Sequence, residues 1–230
     1  MNLIMLDIDG TLTESYEYDQ EIFGEVIGKV LGIPPVDADL NGYVDKTSLG
    51  LTSEAIRRVS GKDPDRKMVN KVKRLVQERM ERLYRQDPGN FRQVPGAARF
   101  LARLRGLNET GIAIATGCWL EEALFKLTAS GLEVEGIPIA TSDDDRNRKR
   151  IMQLAVEKAA QIYACPCFER IIYLGDGPWD LQAAGELGYG FIGIGPRLQE
   201  LNEPGAERWH ADFHDIQAVM GSVLALIEAR

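Results

Sequence analysis

Apolar residues recur along the chain in short runs, and between the runs they fall at helical spacing, which is the rhythm of a parallel sheet covered by helices. The runs predict strands at 3–6, 112–115, 137–140, 171–174 and 190–194. Four of these five lie after residue 110, so a long stretch separates the first strand from the rest. That stretch reads almost wholly as helix. Ile22, Phe23, Val26, Ile27, Val30 and Leu31 share one face, and Gly32-Ile33-Pro34-Pro35 ends the segment. A shorter helix is expected at 52–59. A longer pattern, from Met68 through Val72, Leu75, Val76 and Met80 to Leu83 and Tyr84, begins after Asp63-Pro64 and stops before Asp87-Pro88-Gly89-Asn90.

The pattern therefore predicts an α/β protein with a parallel-sheet core formed by 1–14 and 89–230. A helical insertion at 15–88, roughly 70 residues, is long enough for a small core of its own. Downstream, Pro95-Gly96 opens a helix that turns Phe100, Leu101 and Leu104 inward, and Leu120, Ala123, Leu124 and Leu127 mark the helix after the second strand. A last helix carries Ile216, Val219, Met220, Val223, Leu224 and Ile227.

Composition adds exclusions. With 230 residues, 44% hydrophobic and 27% charged, the chain has globular composition. A formal charge of −8 without a basic stripe argues against nucleic acid as a partner. No apolar run approaches the roughly 18 residues of a membrane span. Three cysteines make no disulfide framework, and the N-terminus carries no basic leader, so a reduced, cytoplasmic setting is expected. Cys165-Pro166-Cys167 lacks a second cysteine pair and a nearby histidine, and reads as two ordinary thiols. His210 and His214 read as an edge strand and its exit.

In a parallel sheet, ligands bind beyond the carboxyl ends of the strands. The first strand ends in Asp7-Ile8-Asp9-Gly10-Thr11, the second in Thr116-Gly117, and the fourth in Gly175-Asp176-Gly177-Pro178-Trp179-Asp180. In an extended backbone Asp7 and Asp9 project to the same side, where they could share a cation or divide nucleophilic and proton-transfer duties. Thr116 and the free N–H groups around Gly117 suit a phosphoryl oxygen. Asp176 and Asp180 could converge on one cation.

These residues resemble the haloacid dehalogenase-like superfamily, whose motifs Asp-x-Asp-x-Thr, strand-end Ser/Thr and Gly-Asp-x-x-x-Asp match Asp7 to Thr11, Thr116 and Gly175 to Asp180. The insertion resembles the C1-type cap of phosphoglycolate phosphatase-like and β-phosphoglucomutase-like members. The resemblance implies a three-layer, Rossmann-like core beneath a helical cap. It also implies a phosphatase for a small phosphorylated metabolite. Asp7 would attack phosphorus to give an aspartyl-phosphate, and Asp9 would serve as acid and then base. Mg2+ would be held by the Asp7 carboxylate, the Asp9 main-chain carbonyl and Asp176, with Asp180 close by.

The superfamily's remaining motif is a Lys or Arg before the fourth strand, and here Arg146, Arg148, Lys149 and Arg150 compete. Arg148 is favoured, because it precedes Ile151 by three and so lies near the helix's buried side, where it would bind phosphate beside Thr116 and Gly117. Arg146 and Lys149 remain open. Asp45, Lys46, Thr47 and Ser48, a polar stretch between helices, are the candidate substrate contacts in the cap. A phosphosugar mutase would share every core residue named, and a phosphonate hydrolase would want a cap lysine such as Lys46. A dehalogenase would not need Asp9.

Overall fold

A computed structural model describes residues 1–36, 42–197 and 208–229, without the side chains of residues 16 and 17. Six strands form one sheet in the order β3-β2-β1-β4-β5-β6, and every pairing in it is parallel. They are β1 (Asn2–Leu6), β2 (Thr110–Ala115), β3 (Ile139–Ala140), β4 (Ile171–Gly175), β5 (Gly190–Ile194) and β6 (Trp209–His210). The third strand is half the expected length, because Ile137 and Pro138 approach β2 as a loop and only Ile139 and Ala140 pair with Ile114 and Ala115.

The alternation of side chains along β1 sorts them between two helical layers. Leu3 and Met5 pack with Ala113, Tyr173 and the apolar faces of α6 (Arg148–Ile162) and α7 (Pro178–Leu187). Ile4 and Leu6 pack with Ile114 and Leu174 against α4 (Ala97–Arg105), α5 (Leu120–Ala129) and α8 (Ile216–Glu228). The result is a three-layer α/β core with both sheet faces buried, as near-continuous apolar strands require.

Between β1 and β2 lie α1 (Tyr16–Leu31), α2 (Ser48–Ser60) and α3 (Arg66–Gln86). They share a separate apolar cluster built from Ile22, Val26 and Ile27 of α1, Ala55 and Ile56 of α2, and Val72, Leu75, Val76 and Met80 of α3. Each helix starts and stops for a local reason. Asp65 caps α3 by accepting the Met68 N–H at 2.8 Å, Thr47 caps α2 by accepting that of Gly50 at 3.1 Å, and Gly32 closes α1 in the left-handed region at φ 70°. Thr47 as cap also explains why α2 begins four residues before the expected 52: Ser48 is its first residue. A 3₁₀ turn at Pro88–Phe91 leads back to the core, where the Phe91 ring meets that of Phe125 edge-on at 5.3 Å. Two crossings join helices and core, bound together by Glu14 N–H to the Arg92 carbonyl at 2.9 Å and Val94 N–H to the Leu12 carbonyl at 2.9 Å. Among the described residues no helix is long and apolar enough to cross a membrane.

Candidate active site

Because β1 lies between β2 and β4, the order of strand addition reverses there while all strands stay parallel, and three carboxyl ends open side by side. Asp7 follows β1, Thr116 follows β2, and Asp176 follows β4. All three are buried. Asp180, on the first turn of α7, folds back so that its Oδ2 accepts the Gly177 N–H at 3.1 Å. The carboxylates of Asp7, Asp176 and Asp180 converge, with one oxygen from each within 4.8 Å of the others. Glycine is required beneath them. Gly10 has φ +76°, and a Cβ there would overlap the Asp176 carboxylate.

Three buried acids repel one another unless cations intervene, and two arginines do so. Arg148 Nη1 lies 2.8 Å from Asp180 Oδ1 and 3.4 Å from Asp7 Oδ2. Arg197 Nη1 lies 2.8 Å from Asp176 Oδ2. Burial nevertheless prevails. It pushes the Asp7 carboxyl up to about 7 against the pull of Arg148, and raises Asp176 and Asp180 as well. Asp7 Oδ1 is buried with no hydrogen-bond partner among the described residues. An orphaned anionic oxygen beside two further carboxylates fits a hard cation, which takes oxygen ligands.

Of the four competing basic residues, only Arg148 reaches these carboxylates. Arg146 turns outward to Asp45 at 3.7 Å, Arg150 bonds Glu157 at 2.8 Å, and Lys149 pairs with Glu186 on the surface. Arg148 opens α6 behind the cap of Asn147, and its Nη2 donates to the Lys46 carbonyl at 3.1 Å. It also packs under Gly117, where a Cβ would stand 2.7 Å from Nη2. Thr116 Oγ1 accepts the Cys118 N–H at 3.3 Å, which holds the turn after β2.

Asp9 stands apart from the three-carboxylate group. Its Oδ1 meets Lys126 Nζ at 2.8 Å and accepts from Ser15 Oγ, while Oδ2 accepts from Cys118 Sγ at 2.7 Å. Burial raises this carboxyl, but the Lys126 charge and the three donors outweigh it and hold it down at about 2. Lys126 itself is fully buried and also binds Asp19 Oδ2 at 2.8 Å and Glu122 Oε1 at 2.9 Å. Neither Lys126 nor its partners Asp19 and Glu122 stood out in the sequence, and Arg197 did not either. Their signal was weak: Lys126 falls between the inward positions Ala123 and Leu127, four residues after Glu122.

A cavity of about 100 Å³ opens over Asp7, Asp9, Thr116 and Asp176, roofed by Phe23, Leu51 and Val76 of the three inserted helices. Lys46, Thr47 and Ser48 line it. Asp45 does not; its carboxylate instead accepts from Asn147 at 3.3 Å on the outside of the α2–α6 junction. Thr47 Oγ1 donates to the Arg146 carbonyl at 2.7 Å and Ser48 Oγ to Glu122 at 2.9 Å, so much of this stretch is engaged with the core. Cys118 is buried and burial pushes its thiol up, while Cys165 and Cys167 lie at the surface side of the α6–β4 loop.

Residues 1–188 match the family model for haloacid dehalogenase-like hydrolases. The chain belongs to that family. It is an enzyme of the hydrolase class, and haloacid dehalogenase-like hydrolases generally use a metal ion, for which the buried acidic group is suited. Solved structures share the fold over nearly the whole length. A hydrolase from Pseudomonas syringae is 22% identical at a TM-score of 0.72, covering 97% of this chain and 99% of its own. The β-phosphoglucomutase from Clostridium difficile is 15% identical at 0.71, covering 100% of both chains. CbbY from Rhodobacter sphaeroides, in complex with phosphate, is 23% identical at 0.68, covering 94% of this chain and 96% of its own. No curated protein matches the chain in sequence.

Proposed function

We propose that this haloacid dehalogenase-like hydrolase is a Mg2+-dependent phosphatase that cleaves a small phosphorylated metabolite through an aspartyl-phosphate on Asp7. The observation that carries the reading is the Asp7 carboxylate: one oxygen held by Arg148, the other buried beside Asp176 without a hydrogen-bond partner among the described residues. The likeness to a relative solved with phosphate agrees with it. The carboxylates of Asp7 and Asp176, with the Asp9 main-chain carbonyl and Asp180 nearby, would hold Mg2+. When bound, the ion would neutralise charge on the phosphoryl oxygens.

The chain's own residues do the rest. Asp7 attacks phosphorus in line, and the Thr116 hydroxyl, the N–H groups around Gly117 and the Arg148 guanidinium hold the phosphoryl oxygens. Asp9, ionised at rest, takes the proton of a monoanionic phosphate ester and passes it to the leaving alcohol, then takes one from the water that releases phosphate from Asp7. Residues 15–88 act as a cap, with Lys46, Thr47 and Ser48 facing the substrate and the apolar roof excluding bulk water.

The test is turnover of p-nitrophenyl phosphate with and without Mg2+. Metal-dependent turnover that Asp7→Asn abolishes is expected, and an unmutated protein without such turnover sinks the reading. Following phosphate release beside sugar-phosphate isomerisation separates phosphatase from mutase. Isomerisation without release would overturn the preference.

A further inference from the structure

Lys126 is an ammonium placed where a hydrophobic residue would be expected. It projects from the inward face of α5, between Ala123 and Leu127 of the apolar core, and is 0% exposed. Burying a charge there is tolerable only with several close partners. Its partners come from three elements: Asp9 from the loop after β1, Asp19 from α1, and Glu122 from α5 itself. Cys118 Sγ stands 3.4 Å from it. Asp9, Asp19 and Glu122 all line the cavity, whereas Lys126 lies behind them and does not. Among the described residues it therefore reaches whatever occupies the cavity through those carboxylates and through Cys118, which also lines it. A tie between α1 and α5 for stability alone would not need Asp9 as a third partner.

We propose that Lys126 is a positioning residue that anchors Asp9 for the second half of the reaction, the hydrolysis of phosphorylated Asp7. This rests on the phosphatase reading above. In that step a water oxygen bonds to phosphorus and the bond from phosphorus to the Asp7 oxygen breaks. Its electron pair returns to the Asp7 carboxylate, and the water's proton passes to Asp9. Asp9 must present an oxygen to the water while the other end of the side chain is held. Lys126 and Ser15 grip Oδ1, and Cys118 donates to Oδ2. With Lys126 gone, Oδ1 keeps, among the described residues, only Ser15, and no described cation stands between Asp9 and the carboxylates of Asp19 and Glu122.

The experiment is rapid-mixing and steady-state kinetics of Lys126→Met with p-nitrophenyl phosphate and Mg2+. Its leaving group departs without a proton, so the first half-reaction is spared. A burst of p-nitrophenolate approaching one equivalent is expected, followed by turnover slowed about 100-fold, the scale of a lost general base. KM falls with kcat, so kcat/KM stays within about threefold of the unmutated enzyme. A merely structural role would instead reduce kcat and kcat/KM together in proportion to unfolded protein, without a burst. A folded variant with no burst, whether its kcat is unchanged or falls together with kcat/KM, overturns the proposal. If Lys126→Met does not fold, Lys126→Met with Asp19→Asn and Glu122→Gln removes the repulsion it leaves, and the same burst is required of that variant. If the unmutated protein shows no Mg2+-dependent turnover, or Asp7→Asn retains it, the phosphatase reading has failed first and takes this proposal with it.

Discussion

Arg148 Nη1 stands 3.4 Å from Asp7 Oδ2, reaching the carboxylate after β1 from the first turn of α6, more than a hundred residues along the chain. The same atom is 2.8 Å from Asp180, so one guanidinium sits between two buried acids. Arg148→Met would leave both without it. Breaking a buried pair by removing one partner costs about 3–5 kcal/mol of stability, and losing one phosphoryl donor costs roughly 10²–10³ in kcat. Thermal melts and kinetics on the same preparation check both. Arg146→Ala and Lys149→Ala, which lose only exposed contacts, should stay within about twofold of the unmutated enzyme in kcat, with stability changed by less than about 0.5 kcal/mol.

Gly10 is fixed by geometry. Its φ of +76° penalises a side chain, and the added methyl group of Gly10→Ala would fall inside the Asp176 carboxylate. The left-handed conformation alone costs about 1 kcal/mol, so the fold should survive. Asp176, however, must move. The expected result is a folded protein whose melting temperature no longer responds to Mg2+; a full response would show that Asp176 has room the geometry denies.

What the sequence made legible follows from where the chemistry lies. Asp7, Thr116 and Asp176 sit just past apolar runs, and a parallel sheet brings such positions together, so pattern alone places them. Helix phase set by Ile151 favoured Arg148 and left Arg146 and Lys149 open, and it is the contacts of Arg148 with Asp7 and Asp180 that set it apart from them. Lys126 and Arg197 were hidden for the opposite reason. A lysine in an amphipathic helix reads as surface, and only tertiary packing reveals that Asp9, Asp19 and Glu122 surround it. Asp45 misled because it belongs to the same polar stretch as Thr47, yet the cap of α2 turns it outward toward Arg146 and Asn147.

The pH dependence of metal binding has a definite sign. Burial lifts the Asp7 carboxyl from 3.8 to about 7, so between these values the folded, metal-free protein holds a proton that the unfolded chain has lost. This carboxyl's own contribution to stability therefore falls as pH rises from about 4 to about 7. Binding a cation requires the ionised form and releases that proton. The Mg2+-induced rise in melting temperature should thus be small at pH 5.5 and grow through pH 7. At one hundred times the dissociation constant it should reach about 2.7 kcal/mol, or roughly 5–10 °C for a chain of this size. Scanning calorimetry at a series of pH values with and without Mg2+ checks it, and a shift independent of pH would contradict the assignment of Asp7 as ligand.

Arg197 supplies a countercharge where the metal reading needs a ligand. Its Nη1 is 2.8 Å from Asp176 Oδ2, and its guanidinium lies 5.3 Å from the Trp179 ring centroid. In the absence of metal this contact compensates a buried carboxylate. A cation arriving at Asp176 meets a like charge already in place. Arg197→Ala should therefore act in opposite directions on the two states: a lower melting temperature without Mg2+, and a tighter Mg2+ dissociation constant, by about tenfold for a repulsion of roughly 1.4 kcal/mol. Titration calorimetry reads the affinity directly, without reference to turnover. Weaker binding in the variant would mean that Arg197 orients Asp176 for the ion and does not compete with it.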